Sequence, residues 1–470
     1  MENNRLIKVL KALSKSEMRL LGKFVRSPIH NRHKDVTRLF EYIKSAFEDN
    51  KKTLNREIVF AHLFPDEAFE MQRVHYVGSY LLRVVEEFLA WQEWQQDTIE
   101  KDMYRLRAYR NHKLDRLLVK DIEQSLHRQQ KQSLRNSHYH DQQYKLQYAK
   151  YNYSRTLGRN REFNLQELSD TLDISFIAKK LKNACILLSH QAVAKHEYDQ
   201  GLLDEVLQFV EERDLLEIPA VAMHYYSYKA LVNVEDEDSF MQLKSLLQRY
   251  DQSFTTGELR DLYIVAINYC IRSINTGRKY FLSELFHLYR SGLEVGVFFE
   301  NGELSHWTYR NIVTAGLNLE EFHWIYNFIH KYKEMLNEQH REGSYCFNLA
   351  RYYFEQDDYQ QAMPLLLQME HSDLLHNLSA KTLLAKMYFR LEETEALDNL
   401  LTSFKRYIQR KKGLGYHREN YLNIIGFIRK LMSLGIYDEE KRRGLYEDIS
   451  NTKNLTEKEW LLQQLKVERA

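Results

Sequence analysis

Residues 348–366 read Asn348-Leu349-Ala350-Arg351-Tyr352-Tyr353-Phe354-Glu355-Gln356-Asp357-Asp358-Tyr359-Gln360-Gln361-Ala362-Met363-Pro364-Leu365-Leu366. Leu349, Ala350 and Tyr353, then Ala362 and Leu366, keep helical spacing on either side of the polar break Asp357-Asp358, so the stretch predicts two helices joined by a short turn. The same elements recur 37 residues upstream as Asn311-Ile312-Val313, Gly316, Phe322 and Ile325. Downstream they return as Leu384-Ala385 and Tyr388 at an offset of 35, and as Ala396 and Leu400 at 34, which implies a third turn one residue shorter. Helix pairs repeating at such a period cannot each bury an apolar face alone and must stack.

These residues resemble the tetratricopeptide repeat over about 305–411. The resemblance implies that the small residue after the first Leu lets two helices approach, that the Tyr fills the hairpin, and that the Asp-Tyr turn opens the second helix. It also implies a partner-binding concave face lined by the first helices. The family's groove positions fall on Arg310 and Asn311 in the first copy, Asn348 and Arg351 in the second, and Lys386 and Arg390 in the third. Such side chains grip an acidic or extended peptide through charge-assisted hydrogen bonds. Two features depart from the pattern: the third copy has Glu393-Thr394 in place of Asp-Tyr, and Pro364 falls inside the second helix, where it removes a hydrogen bond and predicts a kink. The whole chain, including its Ser27-Pro28…Asn31 corner, also resembles a group of uncharacterised bacterial helical-repeat proteins.

The rest of the composition agrees with a mostly helical chain. Only 4 Pro and 16 Gly occur in 470 residues, too few for the turns of a sandwich, a barrel or a loop-rich α/β enzyme. The 32 Tyr, 23 Phe and 5 Trp supply the apolar area that a disordered chain lacks. Cys185, Cys270 and Cys346 fit no C-x-x-C spacing and are odd in number, which points to a reducing compartment. Charges interrupt Leu6-Ile7-Lys8-Val9-Leu10-Lys11, unlike a signal-peptide core, and the apolar stretch 184–194 is shorter than the roughly 18 residues of a membrane span. A cytoplasmic protein with no membrane association is expected.

Along the chain, residues 1–97 predict a small N-terminal helical unit. Ser14 and Glu17 form a capping box, Pro28 and Pro65 stop helices, Asn31 is placed to cap the next helix, and Tyr76, Tyr80, Leu81, Val84, Val85, Phe88 and Leu89 close the core. Residues 98–300 predict a degenerate array of hairpins, broken at Gly158, Gly201, Pro219, the acidic stretch Glu235-Asp236-Glu237-Asp238, and Thr255-Thr256-Gly257. Residues 301–412 hold the repeats, and 413–470 supply capping helices. The fold expected is therefore all-α: antiparallel helix hairpins stacked as a tetratricopeptide-like solenoid with a small N-terminal helical unit and almost no sheet.

Chemistry-bearing motifs are few. The phosphate-loop, dinucleotide, zinc-protease and nucleophile-elbow signatures do not occur, and His138 and His140, two apart on a helix, would not share an ion. No catalytic residue, metal or cofactor is expected, and Cys270 and Cys346 are expected as buried, inert thiols. The basic run Lys405, Arg406, Arg410, Lys411, Lys412, Arg418 fits a helix C-terminus, and the cluster Arg26, His30, Arg32, His33, Lys34 a solvated corner. The total charge of +1 conceals +11 over residues 1–161 and −10 over the remainder. A non-enzymatic scaffold for a protein or peptide partner is the leading reading. A nucleic-acid-associated protein using the basic N-terminal third is the alternative. The Tyr residues at 144, 148 and 151 are expected to pack internally.

Overall fold

The computed structural model describes residues 4–49, 53–157, 162–194, 196–367, 374–411, 414–415, 417–435 and 438–466. Gly158 and Lys412, singled out above, lie outside them. Twenty-three α-helices, four three-residue 3-10 turns and one hairpin of two-residue strands account for the regular structure among the described residues, and contacts divide the chain into Met1–Phe176 and Ile177–Ala470.

In the first unit, α1 (Arg5–Ala12), α2 (Lys15–Arg26), α3 (Lys34–Glu48), α4 (Arg56–Leu63) and α5 (Met71–Gln96) share one apolar core, with Leu10, Leu21, Phe40, Phe60 and Phe88 all buried in it. The capping box forms: Glu17 N–H donates to Ser14 Oγ at 3.2 Å and Ser14 N–H to Glu17 Oε2 at 2.7 Å. Asn31 does not cap α3. Its Nδ2 donates to the carbonyl of Val25 at 2.9 Å and to Thr37 Oγ1 at 3.1 Å, so it clamps the corner that Pro28 opens. Tyr76, 64% exposed, and Tyr80 face solvent, and Val74, Val77 and Leu81 take the core positions on that stretch of α5.

Helices α6 (Thr98–Asn111), α7 (Asp115–Gln130) and α8 (Ser137–Ser154) pack Leu106, Ile122 and Leu146 into a second cluster, and α9 (Leu165–Ala194) follows. Buried Asp102 accepts from Arg105 at 2.8 Å and Ser125 at 2.8 Å and pairs with Arg128. A carboxylate in that position requires such partners.

The second unit runs through α10 (Leu203–Glu212), α11 (Pro219–Val232), α12 (Glu237–Arg249), α13 (Thr256–Asn275) and α14 (Phe281–Val295). Pro219 opens α11 at a position where its missing N–H has no helical partner. The acidic stretch is only partly a break, because Asp236 caps α12 and Glu237 and Asp238 form its first turn. Likewise Thr255 and Glu258 make a capping box, so Thr256 and Gly257 are already helical. A hairpin of β1 (Phe299–Glu300) and β2 (Glu303–Leu304) precedes α15 (His306–Leu317) and α16 (Phe322–Lys331).

Next come α17 (Glu338–Glu355), α18 (Tyr359–Leu367), α19 (Leu374–Arg390) and α20 (Thr394–Arg410). Each odd-numbered helix from α15 to α19 packs against its even-numbered successor, and α17 also packs against both α15 and α19. The three turns share one geometry. Glu320, Asp357 and Glu392 adopt left-handed φ of 58°, 58° and 59°, and the N–H that follows each returns to the carbonyl of Gly316, Tyr353 or Tyr388 at 2.9–3.0 Å.

This corrects the expected shortening of the third turn. Counted from Glu392, the third copy keeps an offset of 35 throughout, so Leu397 and Leu401, both buried, take the places of Ala362 and Leu366, and Ala396 and Leu400 are only half-buried. Pro364 lies within α18, which ends three residues later. Gly316 takes the place of Tyr353, and a Cβ there would lie 2.4 Å from Ile325 Cδ1 and 2.9 Å from Phe286. The first hairpin thus closes by backbone approach instead of a filling ring. Finally α21 (His417–Met432), α22 (Glu439–Asn451) and α23 (Lys458–Lys466) share an apolar cluster with α19 and α20 through Phe389, Phe404, Ile428 and Leu461.

Candidate functional site: a cationic cavity across three hairpins

The shared turn geometry sets which positions of α15, α17 and α19 are equivalent. Arg310, Thr314 and Asn318 correspond to Phe347, Arg351 and Glu355, and these to Thr382, Lys386 and Arg390. All nine line one cavity of about 440 Å³. Spacing of four keeps each trio on one helical face, and the repeat brings the three faces side by side. Another wall comes from much later in the chain, with Glu457 just before α23 and Glu459, Trp460 and Gln463 within it.

Four of the six residues singled out from the sequence therefore meet in one place: Arg310, Arg351, Lys386 and Arg390. Asn311 and Asn348 do not. They are equivalent to each other and sit one residue off the lining face. Asn311 lines a separate cavity of about 500 Å³ beside Tyr289 and the β1–β2 hairpin. Asn348 is 0% exposed, and its Nδ2 donates to the carbonyl of Ser344 at 2.7 Å, one turn back on its own helix. It is a core residue and reaches no partner.

The four cations are held in different ways. Arg390 donates to Asp357 Oδ1 at 2.7 Å and to Tyr359 OH at 2.9 Å, which ties α19 to the turn of the preceding hairpin. Lys386, 8% exposed, places Nζ 2.9 Å from Glu457 Oε2 and 4.9 Å from the Phe354 ring centroid. Arg310 donates to Ser379 Oγ at 3.2 Å and lies 5.2 Å from the Phe347 ring centroid.

Arg351 differs. Its Nη1 donates to Thr314 Oγ1 at 2.7 Å, and among the described residues it forms no ion pair. Burial, and then the like charge of Arg310, lowers its pKa to about 10. At pH 7 it stays protonated, with donors to spare on a five-donor fork. The arrangement can hold an anionic group through charge-assisted hydrogen bonds. A hydroxyl, a second guanidinium and aromatic faces surround the position such a group would take.

Other sequence candidates resolve more simply. His138 meets Gln142 at 2.7 Å, and burial, then Arg135, lowers the pKa of His140 to about 4. No group of three His, Cys, Asp or Glu side chains among the described residues is placed to hold a metal. Cys270 is buried, but Cys346 is only half-buried, because its helix turns Phe347 and Ala350 inward instead. At the basic corner, Arg26 pairs with Glu41 and the His30 ring stacks on Phe24 at 3.7 Å. No described helix is long and apolar enough to cross a membrane.

The chain matches no known protein family, no curated protein and no solved structure.

Proposed function

We propose that the protein is a non-enzymatic, cytoplasmic scaffold. On this reading α15–α20 form a tetratricopeptide-like solenoid whose first helices bind an acidic segment of a protein partner. One observation carries this reading: three equivalent positions on three consecutive hairpins converge on a single cavity with four cations against three carboxylates, Glu355, Glu457 and Glu459, around it. The repeated left-handed turn supports the kinship of the hairpins, and Arg351, charged and in no ion pair among the described residues, supports an anionic ligand.

The test is affinity capture from the native host with the full chain, comparing wild type with the double variant Arg351→Glu, Lys386→Glu. Loss of the captured partners, with the helical circular dichroism retained, is the expected outcome. If every partner stays in place, the groove reading is wrong. Arg351→Gln provides a milder second variant, expected to weaken capture about tenfold or more by removing one charge-assisted contact.

A further inference from the structure

Helix α8 carries a row of rings on the side that the core does not use. The core under this helix takes Leu146, with Ala149 and Tyr153 packed beside it. Tyr144 and Tyr148 instead stack along the surface with ring centroids 6.1 Å apart, and Tyr151 lies tilted against Tyr148 at 6.5 Å. Phe163 extends the row, 6.0 Å from Tyr151. It is pinned there because Asn164 Nδ2 donates to the backbone carbonyl of Gln147 at 2.9 Å and to Gln147 Oε1 at 2.8 Å.

The row is open to solvent and polar at its rim. Tyr148 is 48% exposed, and its three companions are half-buried. The hydroxyls of Tyr144, Tyr148 and Tyr151 make no hydrogen bond among the described residues. The expectation that these tyrosines pack internally fails for Tyr148, while Tyr144 and Tyr151, on the same face by their period of three to four, are half-buried.

Charge completes the surface. At the N-terminal end of the row Lys145 bridges Glu100 and Asp141, which neutralises that end. At the other end Arg155, four residues beyond Tyr151, is exposed and forms no ion pair among the described residues. The surrounding segment 101–161 carries 15 Lys/Arg and 5 Asp/Glu.

We propose that this ring row on α8 is a docking surface for single-stranded nucleic acid. Bases would stack on the tyrosine rings while a phosphate meets Arg155. Every base offers a π-face, so a row of rings recognises a strand without reading its sequence. A duplex hides those faces, and an acidic protein satisfies the cations but has nothing regular to stack. The inference is independent of the cavity in the second unit.

The test is fluorescence anisotropy of labelled oligo-dT and oligo-U with the full chain at about 50 mM and about 200 mM salt. Expected are binding at the lower salt and a several-fold loss at the higher, as for a small number of phosphate contacts. The double variant Tyr148→Ala, Tyr151→Ala should weaken binding about tenfold or more, and Tyr148→Phe should leave it unchanged, since stacking needs the ring and not the hydroxyl. Arg155→Glu should weaken binding and flatten its salt dependence, a second readout should the alanine variant misfold. Absence of binding at the lower salt overturns the proposal, as does binding indifferent to these variants. Equal competition by duplex DNA or by a polyglutamate peptide overturns it too.

Discussion

The cavity between α15, α17 and α19 and the ring row on α8 are both combinations of basic and aromatic side chains, but they are built on different principles. In the cavity each side chain is held by a partner far away in sequence: Arg310 meets Ser379, Arg351 meets Thr314, and Lys386 meets Glu457. On α8 each ring leans on a neighbour three or four residues away, and only Phe163 comes from outside the helix. The cavity is thus a product of tertiary structure, and damage to the hairpins should destroy it. The row is a product of one helix and should survive anything that leaves α8 intact.

The largest effect that separates the two is expected from Gly316→Val. The new side chain would drive into Ile325 and Phe286, costing about 3 kcal/mol by overpacking. Urea denaturation should show the loss, and partner capture should fall with it while oligonucleotide affinity holds. A parallel fall in oligonucleotide affinity would mean that the two surfaces are not separate.

Acid gives the next effect. Burial lowers the pKa of His224 from 6.5 to about 4, with the ring's Nδ1 2.9 Å from the Ala220 carbonyl. The unfolded chain therefore takes up this proton first as pH falls. Stability is complete above about 6.5, declines between about 6.5 and 4, and is level below, a loss on the order of 3 kcal/mol for this one group. His224→Gln should remove that part of the pH dependence in denaturation curves measured at pH 7 and pH 4.5. An unchanged slope would place the sensitive group elsewhere.

The smallest effect sharpens the comparison by its sign. Arg351→Met replaces a half-buried cation with an apolar chain of similar length, so thermal stability should stay within about 1 kcal/mol of wild type or rise, while partner capture weakens. A stability loss above about 2 kcal/mol would show that Arg351 is a structural residue after all.

Much of this was legible in the residues because it is local or periodic. Ser14 and Glu17, three apart, announce a capping box, and Arg351 and Lys386 stand at equivalent places in two successive helix pairs. The third turn escapes the pattern because Glu393 and Thr394 stand where the second has Asp358 and Tyr359. The backbone there needs only one position that tolerates a left-handed conformation, at a cost of about 1 kcal/mol, and packing supplies that. Thr255 with Glu258 carried the same signal as Ser14 with Glu17, yet Gly257 beside them suggested a break. Asn348 illustrates another limit, since a shift of one residue on a helix turns a side chain by about 100° and moves it from the cavity to the core. The α23 wall left no local trace at all. Nothing near Lys386 announces that a glutamate 71 residues later will meet it. For the tyrosines of α8, spacing fixed which side they share but not whether anything covers it.

The late origin of that wall has a consequence for synthesis. The chain emerges from its N-terminal end, so the three hairpins and their cations are complete well before Glu457 and Trp460 leave the ribosome. During that interval Lys386 lacks its carboxylate and Phe389 lacks the Trp460 ring, 5.5 Å away in the finished protein. The nascent protein therefore passes through a stage in which this basic surface is wider and more strongly charged than it will ever be again, and the arrival of α23 ends that stage.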